Sequence, residues 1–473
     1  MKKGVVIKCF KTLKKQYFYD RFTNSVIPIS GEEYKILQKY QNGKLDILKE
    51  EALEKYINSG LLKQSIIEKI EHPETPNLQY LTNHRMTQLI LQVTQQCNLR
   101  CSYCAYSGNY YNREHTSQRM DVGLAKEAIK FFFRHSDETE KLAISFYGGE
   151  PLLEFSLIKQ CVEYCKEHSG DKKIDYFMTT NGTLLKEEIV DFLVVNNFKL
   201  TISLDGDKEE HDANRKYSNG EGTFDIVINN LREIKSRHKD FYKKILFNTV
   251  INSKADLKRV INFFSTNELF YPGQVTLNTL AEAGLKTEDL IKTEIDFWVP
   301  NSYERLKLLL YMIGRIGIEE VNPLIQPKVK IMEALYRNLH KHITESVIMH
   351  PGGPCIPGAR RLFVTTAGEF YPCERVSECT ECMKIGNLEN GLNYQNIKFL
   401  MNHGKLTEVE CKECWNLFQC SICMGEIDPV DNKITKAKKL ERCFICKSGT
   451  LHNLRELCTL IELGYKLPVE EKV

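Results

Sequence analysis

Short apolar runs alternate with stretches of helical period from residue 88 to residue 280. That alternation predicts most of the fold. The runs Gln88–Val93, Leu142–Tyr147, Ile174–Thr179, Lys199–Leu204, Ile245–Ile251 and Gln274–Leu277 are of strand type. Helical stretches fall between them at Val122–Arg134, Leu153–Glu167, Lys186–Asn196, Phe224–Arg237 and Lys254–Thr266. Strands that alternate with helices in this way form parallel sheets. The fold class expected is therefore α/β, with a partial (β/α)6 barrel of TIM type at residues 86–284. In such barrels the chemistry gathers at the C-terminal ends of the strands.

The ends of the chain follow other patterns. Val5–Phe10, Tyr17–Asp20 and Val26–Ile29 read as strands, with a turn at Asn24. Ser30 is placed to cap a helix beginning at Gly31, with Glu33 completing a capping box. A second helix is expected near Leu48–Ser59. These elements make a small opening domain over residues 1–70. The segment His72-Pro73-Glu74-Thr75-Pro76 marks 71–85 as a linker. Residues 285–350 read as a mostly helical bridge, interrupted at Pro323 and Pro327. Residues 351–473 are dense in cysteine and read as loop-rich.

Charge narrows the partners. The formal net charge is +3, so no global field points to nucleic acid. No apolar run approaches the ~18 residues that a membrane span needs. Seventeen cysteines, with no signal-peptide pattern before them, argue for metal ligation in a reducing cytoplasm rather than for disulfides.

Cys97, Cys101 and Cys104 form a C-x3-C-x2-C cluster directly after the first barrel strand. Three thiolates can hold three irons of a [4Fe-4S] cube and leave the fourth open to a small molecule. A purely structural site would be closed. Each later strand ends in a polar or glycine-rich motif. The second is followed by Gly148-Gly149-Glu150-Pro151, the third by Thr179-Thr180-Asn181-Gly182, and the fourth by Ser203-Leu204-Asp205-Gly206, with His211, Asp212 and Arg215 beyond. Taken singly, each could be a turn or a satisfied core residue; Pro151 suits a helix start. Glycines also let backbone approach a ligand, Glu150 offers a carboxylate to an ammonium, and Arg215 offers a fork to a carboxylate.

On these residues, segment 87–280 resembles the radical S-adenosylmethionine (radical SAM) core. The resemblance implies that Cys97, Cys101 and Cys104 hold the SAM-binding cluster. It implies that Tyr103, Gly148, Gly149, Glu150, Pro151, Thr180, Asn181, Ser203, Asp205 and Arg215 surround SAM. Asn248 is a weaker candidate for the same role. Reduction by an external one-electron donor, such as flavodoxin or ferredoxin, would then yield a 5′-deoxyadenosyl radical that abstracts hydrogen from carbon.

The C-terminal cysteines allow two chemistries. Four C-x2-C pairs, Cys379/Cys382, Cys411/Cys414, Cys420/Cys423 and Cys443/Cys446, could make two tetrathiolate zinc sites. With Cys355, Gly368 and Cys373 ahead of them, they instead resemble the SPASM module, which carries two auxiliary [4Fe-4S] clusters. The resemblance implies an outer cluster on Cys411, Cys414, Cys420 and Cys443, with Cys446 competing for the last place. It implies an inner cluster on Cys355, Cys373 and Cys423. The fourth inner position falls to Cys379, to Cys382 or to a substrate thiolate. The step from Cys420 to Cys423 is one residue shorter than the family pattern. Glu374, next to Cys373, stands where related sulfatase-maturing enzymes place a proton acceptor; as a purely structural acid it would be solvated or paired with an arginine, Arg375 being adjacent. Cys161 and Cys165 read as helix packing, Cys9 as a strand residue and Cys458 as part of an amphipathic helix.

The opening domain resembles the winged-helix-like peptide-recognition element of ribosomal-peptide tailoring enzymes, which bind a leader by strand addition. Together the three parts resemble sactipeptide and ranthipeptide maturases. That implies a cysteine-rich precursor peptide as partner, with neither nucleic acid nor membrane, and sulfur-to-carbon thioether bridges as product. Sulfatase maturation to formylglycine and carbon–carbon crosslinking are the rivals within this chemistry. A non-catalytic iron–sulfur carrier or zinc scaffold is the rival outside it.

Overall fold

The computed structural model describes residues 4–43, 47, 50–111, 115–280, 285–286, 295–339, 341, 344–353, 355–429 and 431–467. The opening domain is an antiparallel meander of β1 (Ile7–Lys11), β2 (Gln16–Asp20) and β3 (Ser25–Ile29), followed by α1 (Gly31–Gln41) and α2 (Glu54–Asn58). Asn24 makes the β2–β3 turn at φ 52°. Ser30 and Glu33 form the expected capping box. The helix expected near Leu48–Ser59 is shorter. A 3-10 turn at Glu51–Leu53 precedes α2, and residues 48 and 49 lie outside the described residues.

Side chains of a strand alternate between faces, and both faces of this sheet are covered. Ile7, Cys9 and Phe18 pack on Tyr34 and Leu37 of α1. Phe10, Tyr17 and Tyr19 pack on helices from the far end of the chain, at Met332, Leu454 and Leu457. The outer edge of β1 is closed by a side chain. Cys9 N donates to Gln41 Oε1 (3.0 Å), and Gln41 Nε2 donates to Ile7 O (2.9 Å). Among the described residues, β3 has no strand partner but β2.

The expected linker contains structure. β4 (Lys69–Ile70) pairs with a distant strand, and α3 (Leu78–His84) follows. Leu78 joins the barrel core, and burial of that residue fixes a short helix whose N-cap, Asn77, makes no side-chain cap bond. The barrel then runs β5 (Gln88–Thr94), α4 (Val122–Arg134), β6 (Lys141–Gly148), α5 (Phe155–His168), β7 (Lys173–Thr180), α6 (Glu187–Val195), β8 (Lys199–Ser203), α7 (Lys208–Asn214), α8 (Phe224–Arg237), α9 (Lys239–Tyr242), β9 (Leu246–Ile251), α10 (Leu257–Thr266) and β10 (Val275–Thr279). Strands β5 to β10 are parallel and adjacent in order. α11 (Val299–Met312) and α12 (Lys328–Leu339) follow, then β11 (Ile348–Met349), the partner of β4.

The cysteine-rich segment continues the same sheet. β12 (Leu362–Val364) pairs in parallel with β5, and β13 (Glu369–Tyr371), β14 (Gly386–Asn387) and β15 (Gly391–Leu392) extend it antiparallel to ten strands. α13 (Tyr394–Met401) and α14 (Glu408–Lys412) precede the last cysteines. The segment is less loop-rich than its composition predicts, because α15 (Lys436–Glu462) runs for 27 residues and carries Cys443, Cys446 and Cys458. Cys9, Cys161, Cys165 and Cys458 are all buried packing residues.

Candidate active site

The cysteine loop leaves the end of β5 and is held on three sides. On one, Arg100 N donates to Lys216 O (2.7 Å) and Ser102 N to Asn214 O (3.0 Å), which ties it to the end of α7 and the residues just beyond. On the second, Gly148 and Gly149 press against its start. A Cβ on Gly149 would lie 2.1 Å from Gln96 O, and one on Gly148, at φ +147°, would lie 2.0 Å from Thr94 O. These glycines therefore serve the close approach of the β6 end to the cysteine loop. On the third, Asn181 Nδ2 donates to Asn98 Oδ1 (2.8 Å) and Asn98 Nδ2 to Thr183 Oγ1 (2.9 Å). Asn98 and Thr183 were not foreseen from sequence; a single amide beside a cysteine carries no pattern.

Glu150 is 1% exposed, and its carboxylate links strand ends. Oε1 accepts from Thr180 Oγ1 (2.7 Å) and Leu152 N (3.1 Å), and Oε2 from Asn181 N (2.8 Å). A carboxylate has about four lone-pair sites, so these bonds leave room for one more donor. Pro151 opens the short helical turn before α5. Arg215 and Asp205 form a buried pair through Nε–Oδ2 (2.8 Å) and Nη2–Oδ1 (3.3 Å). Tyr103 OH also bonds Asp205, and the Arg215 guanidinium stands 5.5 Å from the Tyr103 ring centre. This trio fastens the cysteine loop to the end of β8. Ser203, buried nearby, pairs in register with Asn248 of β9.

The thiols of the loop lie within one another's field. Burial first, with Cys104 adding to it, pushes Cys97 up to about 12 and Cys101 up to about 11. Leu99 N donates to Cys97 Sγ (3.3 Å) and Tyr106 N to Cys104 Sγ (3.5 Å). Neutral buried thiols at a strand end, already met by backbone donors, fit a group that binds them as thiolates.

The C-terminal thiols divide into two neighbourhoods. Cys355 is influenced by Cys423, and Cys373 by Cys355 and Glu374. Cys443 is influenced by Cys411 and Cys414, and Cys420 by Cys446 and Cys414. Cys446 Sγ accepts from Asn416 Nδ2 and Ser421 N, both at 3.4 Å. Hydrogen bonding from Cys420 pulls its thiol down to about 6. Cys379 is exposed, and Cys382 N is held by Asn432 Oδ1 (2.7 Å). Among the described residues no three Cys, His, Asp or Glu side chains close on one ion-sized point. A structural zinc draws four thiolates to about 2.3 Å of its centre. A [4Fe-4S] cube would instead sit between thiolates that stand further apart.

Between the barrel strands β7 to β10 and Cys423 lies a cavity of about 720 Å³. Thr179, Thr201, Asn248 and Asn278 line its barrel side; Glu374 and Cys423 line the other. Arg361 Nη1 donates to Glu374 Oε1 (3.3 Å). Arg361, on the neighbouring strand segment, is thus one partner of Glu374. No helix among the described residues is long and apolar enough to cross a membrane.

Comparison with known proteins agrees with this geometry. The Radical SAM superfamily profile matches residues 91–264. A cysteine-type anaerobic sulfatase-maturating enzyme of Clostridium novyi (strain NT) is 31% identical over 383 residues, which is 78% of this chain and 88% of that one. The radical SAM cyclopropyl synthase TigE of Paramaledivibacter caminithermalis is 24% identical over 275 residues, covering 52% of this chain and 56% of its own. Among solved structures, native anSMEcpe with bound AdoMet superimposes with a TM-score of 0.56 at 22% identity, over 78% of this chain and 99% of that one. At that identity the likeness establishes the fold. Membership implies a [4Fe-4S] cluster and SAM, and the Cys97–Cys104 loop is the described site that fits them. The chain belongs to the radical SAM superfamily and is a radical SAM enzyme related to the anaerobic sulfatase-maturating enzymes.

Proposed function

We propose that this enzyme forms thioether bridges in a cysteine-rich precursor peptide bound through its leader. The observation that carries the reading is the cavity. It places barrel side chains opposite Cys423 and Glu374, so a substrate would lie between the radical source and the inner cysteine group. SAM bound at the Cys97, Cys101 and Cys104 cluster supplies a 5′-deoxyadenosyl radical on reduction.

The bridge sets the bookkeeping for the rest of the site. An acceptor carbon loses a hydrogen atom, a cysteine thiol loses a proton, and the new carbon–sulfur bond leaves one electron over. Glu374, oriented by Arg361, takes the thiol proton. Cys355, Cys373 and Cys423 would hold an inner cluster able to accept that electron, and Cys411, Cys414, Cys420 and Cys443 an outer cluster able to pass it on. Three inner thiols would leave a fourth position to Cys379, to Cys382 or to the substrate sulfur.

The opening domain supports a peptide substrate. Gln41 closes the edge of β1, which leaves β3 as the edge for an added strand. Pro28 within β3 is compatible with an edge strand and removes one donor there. The likeness to sulfatase-maturating enzymes favours a second reading, oxidation of a single cysteine to an aldehyde.

Mass spectrometry separates the two. Reduced enzyme and SAM would be mixed with a leader-bearing cysteine-rich peptide or with a short cysteine peptide of sulfatase type. Loss of two hydrogens per bridge in the first peptide is expected. An aldehyde formed in the second, with the first unchanged, would overturn the thioether reading.

A further inference from the structure

We propose that Lys439 is a positioning residue for the outer cysteine group. Its buried ammonium would be the fixed countercharge of a cluster on Cys411, Cys414, Cys420 and Cys443, and would ease that cluster's reduction. The inference rests on these thiolates holding iron rather than zinc.

Lysine is almost never fully buried unless it is paired, and Lys439 is 1% exposed. It sits on α15 one turn before Cys443, so both side chains leave the same helix face. Its Nζ donates to His403 O (3.0 Å). His403 opens the 3-10 turn His403–Thr407, and Thr407 Oγ1 lies 3.3 Å from Cys411 Sγ. The ammonium is thus held at the turn that leads into Cys411.

The charges around it agree. The groups whose ionisation favours the ammonium are Cys411, Cys420, Cys443 and Cys414, the same four residues as the outer set. Glu410, the carboxylate that also feels Lys439, is already paired with Lys436 at 2.5 Å. Burial pulls Lys439 below the usual lysine range. An ammonium among neutral thiols is costly, whereas beside thiolates it is satisfied. A hydrogen bond to one carbonyl gives no reason for a full charge here; an anionic cluster does.

A tetrathiolate cluster becomes more negative on reduction. A fixed cation in a site of low dielectric favours the reduced form. Removing the charge while keeping the bulk should make reduction about tenfold less favourable, which is about 59 mV for one electron.

The test uses full-length protein with Cys97, Cys101 and Cys104 replaced by alanine, so that only C-terminal clusters are read. Iron, zinc and sulfide are counted, and EPR-monitored potentials are compared for Lys439, Lys439→Met and Lys439→Arg. The expected result is iron in all three, with the methionine variant shifted by about tenfold and the arginine variant close to the parent. Iron lost from the methionine variant and kept in the arginine variant also supports the countercharge. Unchanged potentials with iron retained overturn the proposal, and so does equal iron loss from both variants, which marks a packing role. Zinc without iron at the outer group of the parent overturns the iron reading itself, and the proposal with it.

Discussion

Arg21 offers the sharpest test of how the opening domain is held. It is fully buried at the end of β2. Nε donates to Glu345 Oε1 (2.6 Å), Nη2 to Ser65 Oγ (2.6 Å), and Nη1 to Lys412 O (2.6 Å) and Cys414 O (3.2 Å). One guanidinium therefore joins the opening domain, the bridge segment and the outer cysteine loop. Replacing Arg21 with methionine keeps much of the volume and strands the Glu345 carboxylate, whose side chain is 1% exposed. Removing one partner of a buried pair costs about 3–5 kcal/mol. At about 1.4 kcal/mol per tenfold, local opening becomes about a hundred- to a few thousand-fold more frequent. Amide exchange reads this directly. Ile66 N–H donates to Glu345 Oε2 (3.0 Å), and its protection should fall by that factor. The Arg21→Met, Glu345→Gln double variant should recover much of the loss, since no charge is then left unpaired. Unaltered protection at Ile66 in the single variant, or equal loss in single and double variants, would refute the reasoning.

Other outcomes follow from the site. Alanine at Cys97, Cys101 or Cys104 should abolish 5′-deoxyadenosine formation from SAM, as read by chromatography. Gly149→Ala sets a Cβ 2.1 Å from Gln96 O; overpacking of this kind costs about 1–3 kcal/mol. It should lower iron retention at the cysteine loop while the α/β circular dichroism persists. His211 is buried and bonded to Thr223 Oγ1 (2.9 Å), and burial lowers it to about 4. The native state therefore resists a proton that the unfolded chain takes up below its ordinary value of 6.5. Stability should be complete above that value and fall as pH drops toward 4, by on the order of 3 kcal/mol. A His211→Asn variant should show a shallower decline by denaturant titration, and an identical slope would assign the acid sensitivity elsewhere.

The barrel was legible because short β-type runs alternate with helical stretches along the chain, and β5 reads as a near-continuous apolar run buried along almost its whole length. The Ser30 cap and the Asn24 turn were legible because their chemistry is local. α7 was missed: its sequence, KEEHDAN, has no apolar stripe. Only the stretch of α15 around Cys458 was read as helix; its earlier turns were hidden because cysteines and lysines interrupt the periodicity. The pairing of β12 with β5 spans most of the chain and leaves no local trace. The same holds within the site. The cysteines announce themselves by spacing, whereas Arg21 meets Lys412 across 391 positions, and Lys439 looks like any surface lysine until the fold encloses it.

The parallel pairing of β12 with β5 has a consequence for dissection. A fragment ending after the barrel would bare one side of the strand that leads into the SAM cysteines. An apolar strand edge of that kind is a template for self-association. Isolated barrel preparations should therefore aggregate through β5, and a segment resupplying β12 and β13 in trans should disperse them.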